Sequence, residues 1–365
     1  METLAFSDLI IDKTKDGTKL PTNDYQKIGS TAIIDQGQEF IAGYTDRSEG
    51  IFTDVPVIIF GDHTRVFKYI DFPFFLGADG VKILKANREV NYRYLYYYFL
   101  QAKFPNTGYA RHFKWLKELQ IPLPPLAEQK HIAAILDKTQ KIIAEHKQML
   151  QKYDTLIKSR FIEMFGDPTK NTKKWEIKKL GDIIRVLGGY AFSSKDFKDS
   201  GIPVLRIGNI NSGVFRPSNM VFWENDETIE KYAIYPGDLV MSLTGTVGKD
   251  DYGNVCILGN DYNKYYLNQR NAKLEIVSDL DRFYLSYLLK VPEIKSRLTN
   301  ISRGIRQANI ANKDIESLKI PVPPITLQND FATFVQQIDK SKFAVQKSLE
   351  KTETLYKSLM QQYFA

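Results

Sequence analysis

At 365 residues and 43% hydrophobic side chains, the chain is long enough for two or three domains with packed cores, which excludes wholesale disorder. One cysteine, Cys256, and four scattered histidines exclude an internal disulfide framework, suggest no transition-metal site and fit a reducing cytoplasm. The net charge of +7 permits a polyanionic partner without demanding one, and no apolar run approaches the roughly 18 residues that a membrane span needs.

Residues 1 to about 120 alternate short β-rich runs with turn signals. Val55-Pro-Val-Ile-Ile-Phe60 reads as a buried strand stopped by Gly61-Asp62, and Phe72-Pro-Phe-Phe-Leu76 as another stopped by Gly77-Ala-Asp-Gly80. From Asn91 to Lys103, Tyr94, Leu95, Tyr98 and Phe99 are spaced for one helix face. Met1-Glu-Thr-Leu4 is no signal peptide.

Ile121-Pro-Leu-Pro-Pro-Leu126 then leads into a polar, helix-favouring run. The same arrangement returns at Ile320-Pro-Val-Pro-Pro-Ile325, an offset of 199 residues that still aligns Leu156 with Leu355 and Phe165 with Phe364. Prolines cannot continue a helix but suit its start, so each unit predicts a stiff extended lead-in followed by a helix of 40 residues, roughly 60 Å long. Apolar positions alternate four and three apart: Ile132, Leu136, Ile143, Leu150, Tyr153 and Ile157 in the first run. In the second they are Phe331, Val335, Ile338, Val345, Leu349, Tyr356 and Leu359. That period is a coiled-coil seam. Thr139, His146, Arg160, Lys342 and Thr352 interrupt it, which favours a specific register, with Arg160 and Lys342 snorkelling or pairing at its edge.

Between the runs, Gly166 to Lys319 suffices for one compact domain, entered through a plain linker at 166–174 and opened by Trp175. Its order echoes the first domain. Phe6-Ser-Asp-Leu-Ile10 resembles Leu180-Gly-Asp-Ile-Ile184, and Lys27-Ile-Gly29 resembles Arg206-Ile-Gly208. Asp54–Gly61 resembles Asp238–Gly245, Phe74-Phe-Leu76 resembles Tyr265-Tyr-Leu267, and Tyr94-Leu95 resembles Tyr284-Leu285. Trp175-Glu-Ile177 has no evident counterpart at the start of the first domain. The expected organisation is therefore α+β with a pseudo-two-fold internal repeat. It comprises a domain at 1–120, lead-in and helix at 121–166, a similar domain at 167–319, and lead-in and helix at 320–365. Because compact domains often bring their ends together, the two helices should run antiparallel, as a rod with a domain at each end.

Catalytic signals are weak. Thr244-Gly-Thr-Val-Gly-Lys249 resembles a phosphate loop, but Leu243 and Asp250 occupy positions where that loop needs glycine and a hydroxyl, so it reads as a turn between strands. Phe75–Gly80 is glycine-rich but precedes a strand-like run and reads as a β-turn. The Pro-Pro pairs lack the acidic or amide residue before them and the aromatic after them that an amino-methyltransferase pocket would use. Glu293-Ile-Lys295, with Asp281 upstream, reads as part of a helix rather than a nuclease cluster. No catalytic or metal-binding set emerges.

The paired Ile-Pro-Leu/Val-Pro-Pro lead-ins resemble the conserved regions of the specificity (S) subunit of type I restriction-modification systems, as do Gln129 and Gln328 and the exit Lys158-Ser-Arg-Phe-Ile-Glu-Met-Phe-Gly-Asp167. Leu180-Gly-Asp182 and Tyr235-Pro-Gly-Asp-Leu-Val240 are similar to that family's target recognition domains. The resemblance spans the chain. It implies two target recognition domains, each reading half of a split double-stranded DNA site, with the helix pair setting the gap. It also implies two methyltransferase subunits and restriction subunits as partners, which carry the catalysis, the S-adenosylmethionine, the ATP and the Mg.

Phosphate contacts need Lys and Arg, and base edges are read by Arg, Asn and Gln. The loops richest in such groups contribute Arg47, His63, Arg65, Lys68, Arg111, His112 and Lys114 in the first domain. In the second they contribute Arg206, Asn209, Asn211, Arg216, Lys249, Gln269, Arg270, Asn271, Arg303, Arg306 and Gln307. The competing reading is a protein-interaction scaffold with two end domains on a coiled-coil rod, which would show no salt-sensitive, sequence-selective DNA binding. Exposed helical surface could also support self-association without partners.

Overall fold

The computed structural model describes residues 2–77, 80–105, 110–300 and 307–364, the side chain of residue 307 excepted. The chain divides into two compact units. The first comprises residues 1–147 and 346–365, the second residues 148–345, so each unit holds part of both long helices. No helix among the described residues is long and apolar enough to cross a membrane.

The first unit is built on a four-stranded antiparallel sheet in the order Ile10–Asp12, Val81–Ala86, Val57–Gly61, Phe67–Ile70. Every residue of Val57–Gly61 is buried, which explains why this segment is continuously apolar rather than alternating. A smaller sheet sets Thr31–Ile34 between Gly43–Thr45, antiparallel, and Phe74–Leu76, parallel. Tyr92–Leu100 forms the aromatic helix, capped by the Asn91 side chain, which accepts from the Tyr94 amide.

The second unit repeats this plan. Its larger sheet runs Ile184–Gly188, Asn271–Ile276, Leu239–Ser242, Val255–Ile257, also antiparallel. Ile202–Leu205 lies between Val221–Trp223, antiparallel, and Tyr265–Leu267, parallel, with Ala233–Ile234 added at the edge. The helix Arg282–Leu289 is capped by Asp281. Pro292–Thr299 and the pair Thr244–Thr246 with Gln307–Asn309 have no counterpart among the described residues of the first unit. Thr244–Thr246 is thus a strand leading into a turn, without the geometry of a phosphate loop.

Both proline lead-ins are strands. Gln120–Leu123 pairs with Glu2–Ala5, and Lys319–Val322 pairs with Glu176–Lys179, both antiparallel. Glu2 therefore answers to Glu176, and the first unit does possess the opening strand that its sequence seemed to lack. Each lead-in is anchored by a tyrosine hydroxyl: Tyr94 donates to the Pro122 carbonyl at 2.9 Å and Tyr284 to the Pro321 carbonyl at 2.6 Å. A buried glutamine fastens each helix start. Gln129 Nε2 donates to the Pro124 carbonyl while its Oε1 accepts from the Asn91 amide. Gln328 repeats this with Pro323 and Asp281.

The long helices are Leu126–Phe165 and Ile325–Phe364, 40 residues each. Within the first unit Gln140 Nε2 donates to the Tyr356 hydroxyl at 3.0 Å and Lys147 pairs with Glu353 at 2.9 Å. Within the second, Lys342 pairs with Asp154 at 2.6 Å, and Phe161 meets Phe331 with centroids 5.4 Å apart. In each unit the partner's number falls as the helix number rises, so the helices are antiparallel. Every position of the four-three series, from Ile132 to Met164 and from Phe331 to Tyr363, is buried or half-buried. That includes Ile143, Leu150, Tyr153, Ile338, Val345 and Leu359, with Ile157, Val335 and Leu349 fully buried. Arg160 pairs with Glu163 at 2.8 Å and lies 5.9 Å from the Phe334 ring.

The helix ends close on the sheets by equivalent aromatic contacts. Phe165 packs edge-on against Tyr284 at 4.7 Å in the second unit, and Phe364 packs at a tilt against Tyr94 at 5.3 Å in the first. Residues 166–174, expected as a plain linker, form instead a knotted turn. Asp167 accepts from Thr169, the Asp167 amide donates to Thr172, and Trp175 Nε1 donates to the Phe165 carbonyl at 3.0 Å.

Strand pairing also revises two internal matches. Lys27-Ile-Gly29 precedes the strand Thr31–Ile34, whereas Arg206-Ile-Gly208 follows its equivalent, Ile202–Leu205. Sheet register places Leu239 opposite the equivalent of Leu84, so Leu239 answers to Ile58 and the expected match of Asp54–Gly61 with Asp238–Gly245 is three residues out.

Candidate nucleic-acid interface

In the second unit, the loop after Ile202–Leu205 and the turn before Asn271–Ile276 line a cleft of about 610 Å³. Arg206, Asn209, Asn219, Asn268, Gln269 and Arg270 supply its polar wall, and Phe192 and Phe197 its aromatic one. A second cleft of about 360 Å³, lined by Asn211, Thr244–Thr246 and Asp251, meets the first at Ile207 and Arg270. The structure thus collects five predicted residues from two stretches about 60 residues apart in sequence. Sequence reasoning missed the aromatic wall and Asn219, because nothing in a lone Phe or Asn distinguishes a cleft lining from a core or surface residue.

The turn that carries Gln269 and Arg270 is fixed by its backbone. The Gln269 amide donates to the Tyr190 carbonyl, the Asn271 amide to the Asn268 carbonyl and the Leu243 amide to the Arg270 carbonyl, each at 2.9 Å. The Arg270 amide donates to Asn268 Oδ1 at 3.2 Å. Both side chains are exposed, and neither forms a hydrogen bond or ion pair among the described residues. Arg206 is partly committed: Nη2 donates to the Asn219 carbonyl at 2.7 Å and its guanidinium lies 6.0 Å from the Phe197 ring. Asn211, Arg216 and Lys249 are exposed on flanking turns.

Two predicted readers serve the fold instead. Asn209 is buried, its Oδ1 accepting from the Arg206 amide and its Nδ2 donating to the carbonyls of Arg216 and Ser218. Asn271 has no exposed surface and donates to the Leu205 carbonyl at 2.9 Å. Neither amide can reach a base edge from there. Arg303 and Arg306 lie outside the described residues, as does the side chain of Gln307, whose backbone opens the strand Gln307–Asn309.

In the first unit Arg47, Arg65, Arg111 and Lys114 are exposed and His63 is half-buried. The Asp62 carbonyl accepts from the His112 amide at 2.8 Å, and Asp62 Oδ1 accepts from the Phe113 amide at 2.8 Å. These bonds hold the turn bearing His63 and Arg65 against the segment bearing Arg111 and Lys114, so His63 and three cationic candidates share one edge. The Lys114 ammonium lies 4.2 Å from the Trp115 ring. Lys68 and His112 correct the expectation. Lys68 is 3% exposed and its ammonium donates to the Asp35 and Glu39 carbonyls at 2.8 and 2.5 Å, burial lowering its pKa. His112 is 1% exposed with Nδ1 at 3.0 Å from the Asp62 carbonyl.

The sequence profile described as the type I restriction modification DNA specificity domain matches residues 10–152 and 172–353. The chain belongs to that family. Among similar proteins, the type I restriction enzyme MjaVIII specificity subunit of Methanocaldococcus jannaschii is 27% identical, over 78% of this chain and 74% of that protein. The EcoR124I/EcoR124II specificity subunit of Escherichia coli is 25% identical, over 90% of this chain and 85% of its own length. The fold is that of the crystal structure of a type I restriction-modification S subunit from M. genitalium, with a TM-score of 0.67, 18% identity, and coverage of 100% of this chain and 96% of that one.

Within this type I specificity fold the two units differ in the loops that correspond to the cleft. The loop equivalent to 206–220 is Asp35–Ala42, which holds Asp35, Gln36, Gln38 and Glu39 and no Lys or Arg. In sequence, the positions between Phe74–Leu76 and Val81–Ala86, which correspond in order to 268–270, hold no Arg, Lys or Gln. Cationic groups in the first unit come instead from the hairpin turn at His63–Arg65 and from residues 111–114.

Proposed function

We propose that this chain reads a bipartite double-stranded DNA target, one unit per half-site, as the non-catalytic specificity subunit of a type I restriction-modification complex. The two long helices set the unread gap, and the chain docks two methyltransferase subunits, with restriction subunits added to that core. S-adenosylmethionine, ATP and Mg belong to those partners. The observation that carries this reading is the duplicated unit: equivalent sheets, each closed by a proline strand, a buried glutamine and a 40-residue helix. Two like readers on one chain suit a split site read from one side of the duplex, with the halves about one helical turn apart.

The test is base-resolved methylation mapping in cells that express the chain with its cognate methyltransferase subunits. A split motif that depends on this chain is expected, and its absence refutes the function. Replacing residues 1–120 with those of a relative should change one half of the motif only. Inserting one heptad into both helices adds roughly 10 Å, so the unread gap should grow by about three base pairs.

A further inference from the structure

We infer that Gln269 and Arg270 set the sequence of the half-site read by the second unit, Arg270 through a two-point contact with a guanine and Gln269 through one with an adenine. The assignment rests on the DNA-reading function proposed above. It follows from which polar side chains remain available once the fold has used the others. Asn209 and Asn271 are consumed by backbone carbonyls inside the unit. One arm of Arg206 holds Asn219. Arg216 and Lys249 are exposed, but neither lines the clefts, and Asn211 lines only the smaller one. Arg270 lines both clefts and Gln269 the larger one, and both side chains are unpartnered among the described residues.

The chemistry of the two side chains then selects the bases. A free guanidinium fork presents two parallel N–H groups, which match the O6 and N7 acceptors that guanine shows in the major groove. A primary amide presents one donor and one acceptor side by side, which match N7 and the N6 amino group of adenine. Two-point contacts need a fixed platform, because an error of a few tenths of an ångström breaks one of the two bonds. Three backbone–backbone hydrogen bonds of the 268–271 turn, with a fourth from the Arg270 amide to Asn268 Oδ1, provide it. Since residues 77–80 hold neither residue type, the same rule does not extend to the half-site read by the first unit.

The experiment uses the full chain assembled with its methyltransferase subunits, challenged with a duplex library randomised across each half-site in turn. Bound and methylated sequences are counted for the unsubstituted chain, Arg270→Ala, Arg270→Lys and Gln269→Ala. Because both side chains are exposed, the variants should melt with the parent. Arg270→Ala should relax a guanine at one position of one half by roughly five- to a hundredfold and leave the other half unchanged. Arg270→Lys should recover overall affinity and its salt dependence but not the guanine preference, since an ammonium has no fork. Gln269→Ala should relax an adenine in the same half. A split motif that keeps its base preferences in Arg270→Ala, whether at full or uniformly lowered affinity, overturns the assignment alone. A complex that marks no split motif even with the unsubstituted chain overturns the proposed function, and this assignment with it.

Discussion

The glutamine that fastens each helix start offers a quantitative test of the duplicated architecture. Gln328 is fully buried, its Oε1 accepting from the Asp281 amide and its Nε2 donating to the Pro323 carbonyl, both at 2.8 Å. Replacing it with Met keeps most of the side-chain volume but removes both bonds, so a backbone donor and a backbone acceptor lose their partners together. Each orphaned buried group costs about 1–3 kcal/mol, which makes a total of about 4 kcal/mol a central expectation. For a cooperative unit of roughly 150–250 residues, that corresponds to a fall in melting temperature of about 8–16 °C. Gln129→Met should cost a similar amount in the first unit, where the same two bonds are 2.9 and 2.8 Å long. Calorimetry or far-UV circular dichroism of the purified chain reads both values. The reasoning fails if Gln328→Met melts within about 2 °C of the parent while Gln328→Ala does not, because volume rather than hydrogen bonding would then be the stabilising term.

Lys68→Met should lower stability by roughly 1–3 kcal/mol, because it strips the Asp35 and Glu39 carbonyls of their donor, and should leave the salt dependence of DNA binding untouched; a salt slope reduced by about one would make Lys68 a phosphate contact after all. Charge reversal at Lys342 or Asp154 alone should cost up to roughly 1 kcal/mol, and the double reversal Lys342→Asp with Asp154→Lys should recover it. Additive losses in that cycle would mean that the antiparallel helices do not pair there. Burial pushes the Cys256 thiol up to about 12, so native protein at pH 8 should resist iodoacetamide and react at the rate at which it opens. The same shift has a sign: the unfolded thiol ionises near pH 9 while the folded one stays protonated, so stability should fall as pH rises from about 9 toward 12. A native thiol that alkylates as fast as free cysteine would contradict both statements.

What the sequence revealed was whatever repeats at long range. The two helices, their proline starts and their seam were legible because a run of 40 residues offers many positions at which a wrong period would show. Short strands offer few. Val-Pro-Val-Ile-Ile-Phe can slide against Asp-Leu-Val-Met-Ser by two or three residues with little loss of apolar match, and only the hydrogen-bond partners of Ile58 and Leu239 fix the register. The candidate readers met a related limit. A polar residue in a turn looks the same in sequence whether it faces solvent or staples the loop, and most side-chain hydrogen bonds in proteins go to backbone. Lys68 was decipherable in principle: with Ile70 two residues on in the same strand, alternation places both on the buried face. Asn209 and His112 carried no such signal, since their partners come from loop carbonyls that the fold alone brings near.

The division between repeated and unrepeated residues has a physical basis that bears on how such a chain can change its target. The repeated groups, among them Tyr94 and Tyr284, Gln129 and Gln328, and Phe364 and Phe165, each satisfy a buried partner, so substitution there leaves a donor, an acceptor or a cavity uncompensated. Among the described residues the side chains of Gln269, Arg270, Arg65 and Arg111 satisfy no buried partner, and surface changes of that kind usually alter stability by less than about 0.5 kcal/mol. The 268–271 turn shows how both demands meet in one place: its shape is set by main-chain bonds to Tyr190, Asn268 and Leu243, so the two side chains it presents can be exchanged without disturbing the platform. The clamps are alike in both units while the loops differ, acidic at Asp35–Glu39 in the first and cationic at Arg206–Arg216 in the second, so it is the loops and not the clamps that set the two units apart.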